Sequence, residues 1–558
     1  MAQIFIGGAW PYANGSLHLG RVAGILPGDV LARYHRAKGD RVLYVSGSDC
    51  HGTPVAVSAA LEGVSPGEVA GRFHSEFVAC FRQLGFSYDS YTRTDQPFHH
   101  EGVKELFLRL LDNGYLYPKT VSQAYCAADG RFLPDRYVEG ICPICGAKAR
   151  GDQCEQCSTL LDPADLQEPV CKLCGRTVEW KPTEHYFLAL SRFQEKLESY
   201  VAEKAVHWRE NAVYLTRRYL SEGLLDRAAT RDLDWGVDVP LPDTEGKKIY
   251  VWIEAVSGYW TASRQWAEAT GERWEDFWVE TPEGTDIQSG EQGITAYYVH
   301  GKDNVPFHTL IWPALLLGAG KLHLPDRIFA SEYLTLEGRK FSTSSNWAVW
   351  VPDLLARYDP DSIRYYLIAN GPEKRDANFT WREFIHSHNG ELLGAWGNFV
   401  NRTLAFIAKS FDSRVPLGQL PVGWAEEVGA LYLAAGERLE QGRMKEALEG
   451  IFAAIRDANK YFDARKPWAA LKEDPAHCAE TLYICVQWMV NFANLLEPFL
   501  PFSCAKLRRM LGVTEEPRWA LVAVEAGQVI GPVELLFQRI DPSRIGEEEE
   551  RLTASLIR

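Results

Sequence analysis

Apolar positions recur along this chain with two different periods, and the change of period divides it. Near the amino terminus, "QIFIGGA" reads as a buried strand, "WPYANGSLHLG" as a turn of small residues and "RVAGILPGDVLARYHRAKG" as a helix. A second apolar run, "RVLYVSGSD", ends at "DCHGTPV". Strand, helix and strand in this order predict a doubly wound parallel sheet. Residues 116 to 180 read as loop-rich and interrupt it, and strand and helix signals resume at "KKIYVWIEAVSGYWTAS" and "ITAYYVHGKDNVPFHTLIWPALLLGAG". Beyond about residue 385 the pattern is helical. Met444, Leu448, Ile451 and Ile455 share one helix face, as do Leu482, Val486, Met489, Ala493 and Leu496, with "SRVPLGQLPVGW" separating helices. The expected fold is α/β, a parallel sheet in two halves (1–115 and 236–325) split by an insertion (116–235). A connecting region (326–385) and an α-helical bundle (386–558) follow. Glu547 to Glu550 read as a solvated helix surface or tail, and no internal repeat is present.

Composition adds constraints rather than an activity. A chain of 558 residues exceeds one hydrophobic core, and 46% apolar with 24% charged residues is ordinary for a globular protein. No apolar run reaches the roughly 18 residues that span a bilayer, and the first residues lack a basic stretch before their short apolar run. A cytoplasmic protein without a membrane anchor is therefore expected. The net charge of −15 argues against broad, non-specific nucleic-acid binding but leaves room for a local basic surface.

Six of the twelve cysteines lie in three C-x-x-C pairs between Cys142 and Cys174. In a large chain without an export signal such pairs suggest metal and a reducing compartment. Cys142, Cys145, Cys154 and Cys157 form two knuckles that can place four thiolates tetrahedrally around a structural zinc, with Gly146 and Gly151 permitting the turns. A possible second site combines Cys171 and Cys174 with Cys126 and Asp129, a less common set of three thiolates and one carboxylate. Four protein ligands leave no open position, so neither site is expected to be catalytic.

The turn "PYANGSLHLGR" sits where a first strand meets a first helix, the place where this fold puts phosphate on a helix N-terminus. His18 and Arg21 share a helix face there, and Gly15 and Gly20 leave room for close approach. Taken alone, the same pair suits an ordinary surface. Downstream, "LEGRKFSTSSN" offers Arg339 and Lys340 among glycine and hydroxyl residues, either as a solvent loop or as a clamp on phosphate.

These residues resemble a family. "HLGR" is similar to the His-Ile-Gly-His signature of class I aminoacyl-tRNA synthetases, and "KFSTS" to their Lys-Met-Ser-Lys-Ser loop. Together with "DCHGTP", "GRFLPDRYVEGICPIC", "RGDQCEQC", "EHYFL", "YVWIEA", "GKDNVPFHTLIWPA" and "DANKYFDARKPW" they resemble methionyl-tRNA synthetase from about residue 3 to the end of the helical part. The resemblance implies a Rossmann-type catalytic domain, a zinc-bearing connective insertion, a stem-contact region around the signature loop and an anticodon-binding helical domain. It implies ATP with Mg²⁺, L-methionine and the methionine tRNAs, initiator included, as substrates. It assigns His18, Arg21 and Lys340 to catalysis, with Gly20, Ser342 and Thr343 added for ATP. It assigns Tyr12, Asp49, Trp252, Ala255, Tyr259, Asn304, His308 and Trp312 to methionine, with Asp49 taking the amino group. It makes Asn398, Arg402 and Trp468 the readers of the anticodon.

Other readings of the same residues stand beside these. Trp252 and Trp312 lie in apolar segments that also suit a core, whereas Tyr12 and His308, flanked by Pro and Gly signals at strand ends, favour binding. Asn398 and Arg402 read equally as a helix-surface pair, and Trp468 as a buried residue. Arg21 stands where the family has its second histidine, Thr343 where it has its second lysine, and Ser345 where related loops often carry arginine. These departures keep a catalytically impaired, tRNA-binding paralogue as an alternative. A ligase for another amino acid is the third reading, which the pocket aromatics oppose. Nothing after the bundle reads as a dimerisation domain, so a monomer is expected.

Overall fold

The computed structural model of the chain describes residues 1–134, 137–151, 154, 156–157, 161–279, 293–342 and 346–555. Its central sheet has five parallel strands, β1 (Gln3–Gly8), β2 (Arg41–Ser48), β3 (Ser90–Arg93), β4 (Ile294–Gly301) and β5 (Arg327–Ser331), in the order β5-β4-β1-β2-β3. The order reverses between β1 and β4. Connections there leave in opposite directions and open a crevice at the carboxyl ends of the strands. Helices cover both faces, so β1 is buried without alternation. Ile4 and Ile6 join the core around Val22 and Leu26 of α1 (Leu19–Lys38), and Phe5 joins the core around Tyr259 and Trp260 of α2 (Val251–Thr270).

The insertion carries more regular structure than its sequence suggests. Leu116–Cys126 is an eleven-residue strand paired antiparallel with Glu179–Leu188, in register from Leu116↔Leu188 to Tyr125↔Glu179. Most of its positions are exposed or half-buried, and it contains Pro118 and Lys119. Pairing between chain segments, rather than a buried apolar face, holds this ribbon, which is why it reads as loop.

The helical part follows its periodicity. The apolar faces of α5 (Met444–Arg465) and α6 (Pro475–Leu496) are buried, and they belong to the same core that runs under β1. Ion pairs reinforce this join. Asp29 on α1 is fully buried and accepts from Arg33 Nε at 3.0 Å, Arg364 Nη2 at 2.7 Å and the Ser87 backbone N–H at 2.6 Å. Arg364, on α3 (Pro360–Ala369), also donates to the carbonyls of Leu84, Pro498 and Phe499, while Arg33 reaches Glu497 at 2.7 Å. Burial alone would raise the Asp29 carboxyl, but Arg364 and Arg33 outweigh it and hold it below the usual range. Asp29→Ala leaves the buried Arg364 guanidinium without its carboxylate and Arg33 with Glu497 alone, a change that costs about 3–5 kcal/mol when a buried pair is broken. A matching fall in the urea midpoint is expected; a loss under about 1 kcal/mol would show that the join does not depend on these charges.

Candidate active site

The crevice begins where β1 and β2 end. The Ala13 N–H donates to the Asp49 carbonyl at 2.8 Å and the Asp49 N–H to the Pro11 carbonyl at 2.9 Å, so Tyr12 and Asp49 lie side by side. Such close pairing needs Gly47, since a Cβ there would sit 2.2 Å from the Trp10 ring. Asp49 is buried. Burial, and then the Glu254 carboxylate, push its carboxyl well above the usual range.

The next residues form the first turn of α1. His18 precedes the helix in extended conformation, and its turn is zipped to a later segment: the Leu19 N–H donates to the Val349 carbonyl at 2.9 Å and the Val351 N–H to the Leu17 carbonyl at 2.8 Å. The His18 ring stacks on Phe341, centroids 5.2 Å apart, and meets Trp350 edge-on. Burial, and secondarily Arg21, lower its pKa to about 3, so the ring is neutral. Its Nδ1 is buried with no partner among the described residues. A Cβ at Gly20 would lie 3.2 Å from that nitrogen. Arg21 turns inward and donates from Nη1 to the Tyr12 carbonyl at 2.9 Å.

Phe341 belongs to a hairpin. Leu334–Leu336 pairs antiparallel with Arg339–Lys340 through a turn whose two residues, Glu337 and Gly338, both have left-handed φ, +46° and +78°. Neighbours on a strand face opposite sides. Arg339 lies over the Trp347 ring at 4.4 Å, whereas Lys340 is exposed, 5.9 Å from the Tyr333 ring. The two cations that look like one pair in sequence thus point apart. Ser342 closes the loop against Trp347 through two backbone hydrogen bonds of 2.9 Å. Thr343 and Ser345 lie outside the described residues.

Across the crevice, the segment after β4 winds as a π-helix, Phe307–Ile311, and Asn304 precedes it. Wide turns of this kind occur often at functional sites. His308 Nδ1 faces the Asn304 carbonyl at 2.8 Å, so it carries the proton. Burial lowers this ring to a pKa of about 4, leaving Nε2 to accept from the Tyr259 hydroxyl at 2.9 Å. His300 stacks on His308 at 4.2 Å. Trp252 is 37% exposed, against Phe307 at 4.6 Å, with Ala255 half-buried on the same helix. Trp312 is fully buried beneath Tyr259 and donates to the Tyr298 hydroxyl at 2.8 Å. One tryptophan is thus exposed and the other is core. Sequence reading gave no role to Phe307, Glu254, His51 and His99, although "GKDNVPFHTLIWPA", "YVWIEA" and "DCHGTP" contain the first three.

In the insertion, the sulfurs of Cys142, Cys145, Cys154 and Cys157 all lie within 4.8 Å of one another, as thiols outside any disulfide. Cys142–Cys157 and Cys145–Cys154 are 3.8 and 3.6 Å apart. A tetrahedron with zinc–sulfur bonds of about 2.3 Å has edges near ~3.8 Å, so this donor set fits zinc. Cys126, Asp129, Cys171 and Cys174 make a second cluster of the same size. Gly130, Gly146 and Gly175, all with left-handed φ, donate to the carbonyls of Cys126, Cys142 and Cys171, so the Asp129 knuckle has the turn of its cysteine counterparts.

In the bundle, Asn398 opens α4 (Asn398–Ser410) directly after a second π-helix, His388–Gly397, and is exposed. Arg402 lies over the Phe462 ring at 4.2 Å and donates to Asp463 Oδ1 and the Asn459 carbonyl, each at 2.7 Å. Trp468 is 52% exposed, with its ring 6.1 Å from Phe462. The buried alternative for Trp468 is therefore wrong: Lys466, in left-handed conformation, turns the chain so that the indole faces outward.

Residues 4–404 match the family described as tRNA synthetases class I (M), and residues 425–555 match the anticodon binding domain of methionyl tRNA ligase. The chain is 57% identical to a methionine–tRNA ligase of Bacillus cereus (strain B4264) and 56% identical to methionine–tRNA ligase 2 of Bacillus anthracis, over 99% of each chain. The fold is similar to that of Mycobacterium tuberculosis methionyl-tRNA synthetase in complex with methionyl-adenylate, with TM-score 0.77 and 27% identity over 97% of this chain and 100% of that one.

Proposed function

Because this chain belongs to the methionyl-tRNA synthetases of class I, we propose that it is a methionine–tRNA ligase. It joins L-methionine to ATP as methionyl-adenylate with release of pyrophosphate. It then transfers methionine to the 3′ end of the methionine tRNAs, initiator included. The observation that carries this reading is the backbone zipper between the His18 turn and residues 349–351, which closes the phosphate end of the crevice beside Asp49.

Chemistry assigns the roles. Attack of the methionine carboxylate on the α-phosphate needs two anions brought together, so positioning and fixed positive charge do most of the work. Asp49 takes the ammonium. Tyr12, Tyr259, Trp252, Ala255, Asn304, His308 and Trp312 form the methionine pocket and its backing. Burial keeps His308 neutral, with its Nε2 lone pair accepting from Tyr259, and a neutral wall suits a polarizable thioether. His18, Gly20, Arg21, Lys340, Ser342 and Thr343 serve ATP, the neutral His18 as a single N–H donor and Lys340 as the mobile cation. Mg²⁺, held by the ATP phosphates, supplies further charge neutralisation. Methionine-dependent ATP–pyrophosphate exchange, compared with leucine, cysteine and homocysteine, tests the reading. Exchange selective for methionine supports it, and none from folded protein would return the weight to the paralogue.

Zinc at Cys142, Cys145, Cys154 and Cys157 would fix the insertion, and the Cys126, Asp129, Cys171, Cys174 cluster would take a second ion. Metal analysis is expected to give about two zinc ions per chain, and about one after Asp129→Ala, by the ligand-count rule for structural sites. About one in both proteins would leave the carboxylate cluster without a metal role.

Asn398, Arg402 and Trp468 would read the anticodon, with Trp468 as a stacking platform. Stacking is worth about 1–3 kcal/mol per base, so Trp468→Ala should reduce kcat/KM for tRNA about 5- to 150-fold and leave exchange untouched. Equal loss in both assays would contradict it. The described residues include no helix long and apolar enough to cross a membrane, and action as a cytoplasmic monomer is part of the proposal.

A further inference from the structure

Behind Asp49 lies a second carboxylate that the activity as described does not use. Glu254, in the first turn of α2, is fully buried. Its Oε1 accepts from His51 Nδ1 at 2.8 Å and from His99 Nε2 at 3.1 Å. The His51 backbone N–H donates to Asp49 Oδ1 at 3.3 Å, so Glu254 and Asp49 grip one residue from opposite ends. The turn between them is held further by the Cys50 N–H to Thr94 Oγ1 at 2.9 Å and by Trp235 Nε1 to the Cys50 carbonyl at 2.7 Å.

A buried carboxylate is a poor device for stability alone. Apolar residues of similar volume would do as well or better, and one oxygen of this group, Oε2, has no partner among the described residues. The two imidazoles outweigh burial and keep Glu254 ionised, whereas burial and the Glu254 charge both act against ionisation of Asp49. Of two neighbouring carboxylates, Glu254 therefore has two imidazole N–H partners, whereas Asp49 has one backbone N–H and no cation partner among the described residues. An incoming ammonium supplies it.

We propose that Glu254 is a positioning residue for methionine's amino group, acting through His51 to hold the Asp49 carboxylate and adding a second negative charge behind it. This rests on the proposed methionine activation, and exchange by the unaltered protein is the control that separates the two. Glu254→Gln keeps the shape and removes the charge. It is expected to raise KM for methionine about tenfold, the size of one weakened charge-assisted hydrogen bond, while KM for ATP stays within about twofold. The inhibition constant of 4-(methylthio)butanoate, methionine without its amino group, should also stay within about twofold. A pocket that merely loosened would weaken all three ligands together, and that result overturns the proposal, as does an unchanged KM for methionine. Should Glu254→Gln fail to fold, His51→Leu removes the Nδ1 donor to Glu254 while keeping both carboxylates. The same selective rise is expected from it, and equal KM values in variant and parent would overturn the proposal.

Discussion

Lys340→Ala is expected to slow methionine-dependent pyrophosphate exchange by about 100- to 1000-fold, the usual loss when one stabiliser of transition-state charge is removed. The size follows from how few cations serve this end of the crevice. The related loop signature carries two lysines; here the second position is Thr343. Arg339 lies on the other side of its strand, over Trp347, and Arg21 donates to the Tyr12 carbonyl. His18 is neutral. Lys340 is exposed and belongs to no core, so the variant should fold normally, and methionine binding measured without ATP should persist. A loss below about threefold would mean that another group carries the charge, and Lys340→Arg would not be a neutral control because the guanidinium differs in shape and hydration.

Asp49→Asn should raise KM for methionine about 30-fold or more, since truncating a buried charge pair costs about 2–5 kcal/mol. The same carboxylate sets an acid limb. Burial and Glu254 place its ionisation well above the ordinary carboxylate range, and only the ionised form attracts an ammonium. Binding is therefore present above that pKa and lost as pH falls through it. In kcat/KM for methionine the limb should sit higher than for an exposed aspartate, and it should vanish in Asp49→Asn. Retention of both the limb and the affinity in the variant would remove Asp49 from the site.

The sequence disclosed those parts of the molecule whose residues follow a period or a spacing. β1, α1 and β2 were legible because an all-apolar strand between covering helices differs from the 3.6 period that follows it. The four-cysteine cluster was legible because knuckle spacing alone brings the sulfurs together. The ribbon Leu116–Cys126 was not, because its partner lies more than fifty residues away and its faces are mostly wet. The π-helices before Asn398 and around His308 left no trace in a pattern read with one period. The opposed directions of Arg339 and Lys340 required the hairpin register. The Glu254, His51 and His99 unit joins three distant segments, and nothing short of the fold could assemble it.

Arg364 and Asp29 tie the sheet to the helical part, with further ties from Arg33 to Glu497 and from Arg209 to the Gly442 carbonyl. If these ties hold the join stiff, the span between the two ends of the protein is a built-in length. In the proposed charging reaction the molecule would then act as a caliper, accepting an RNA whose two extremities reach both jaws together.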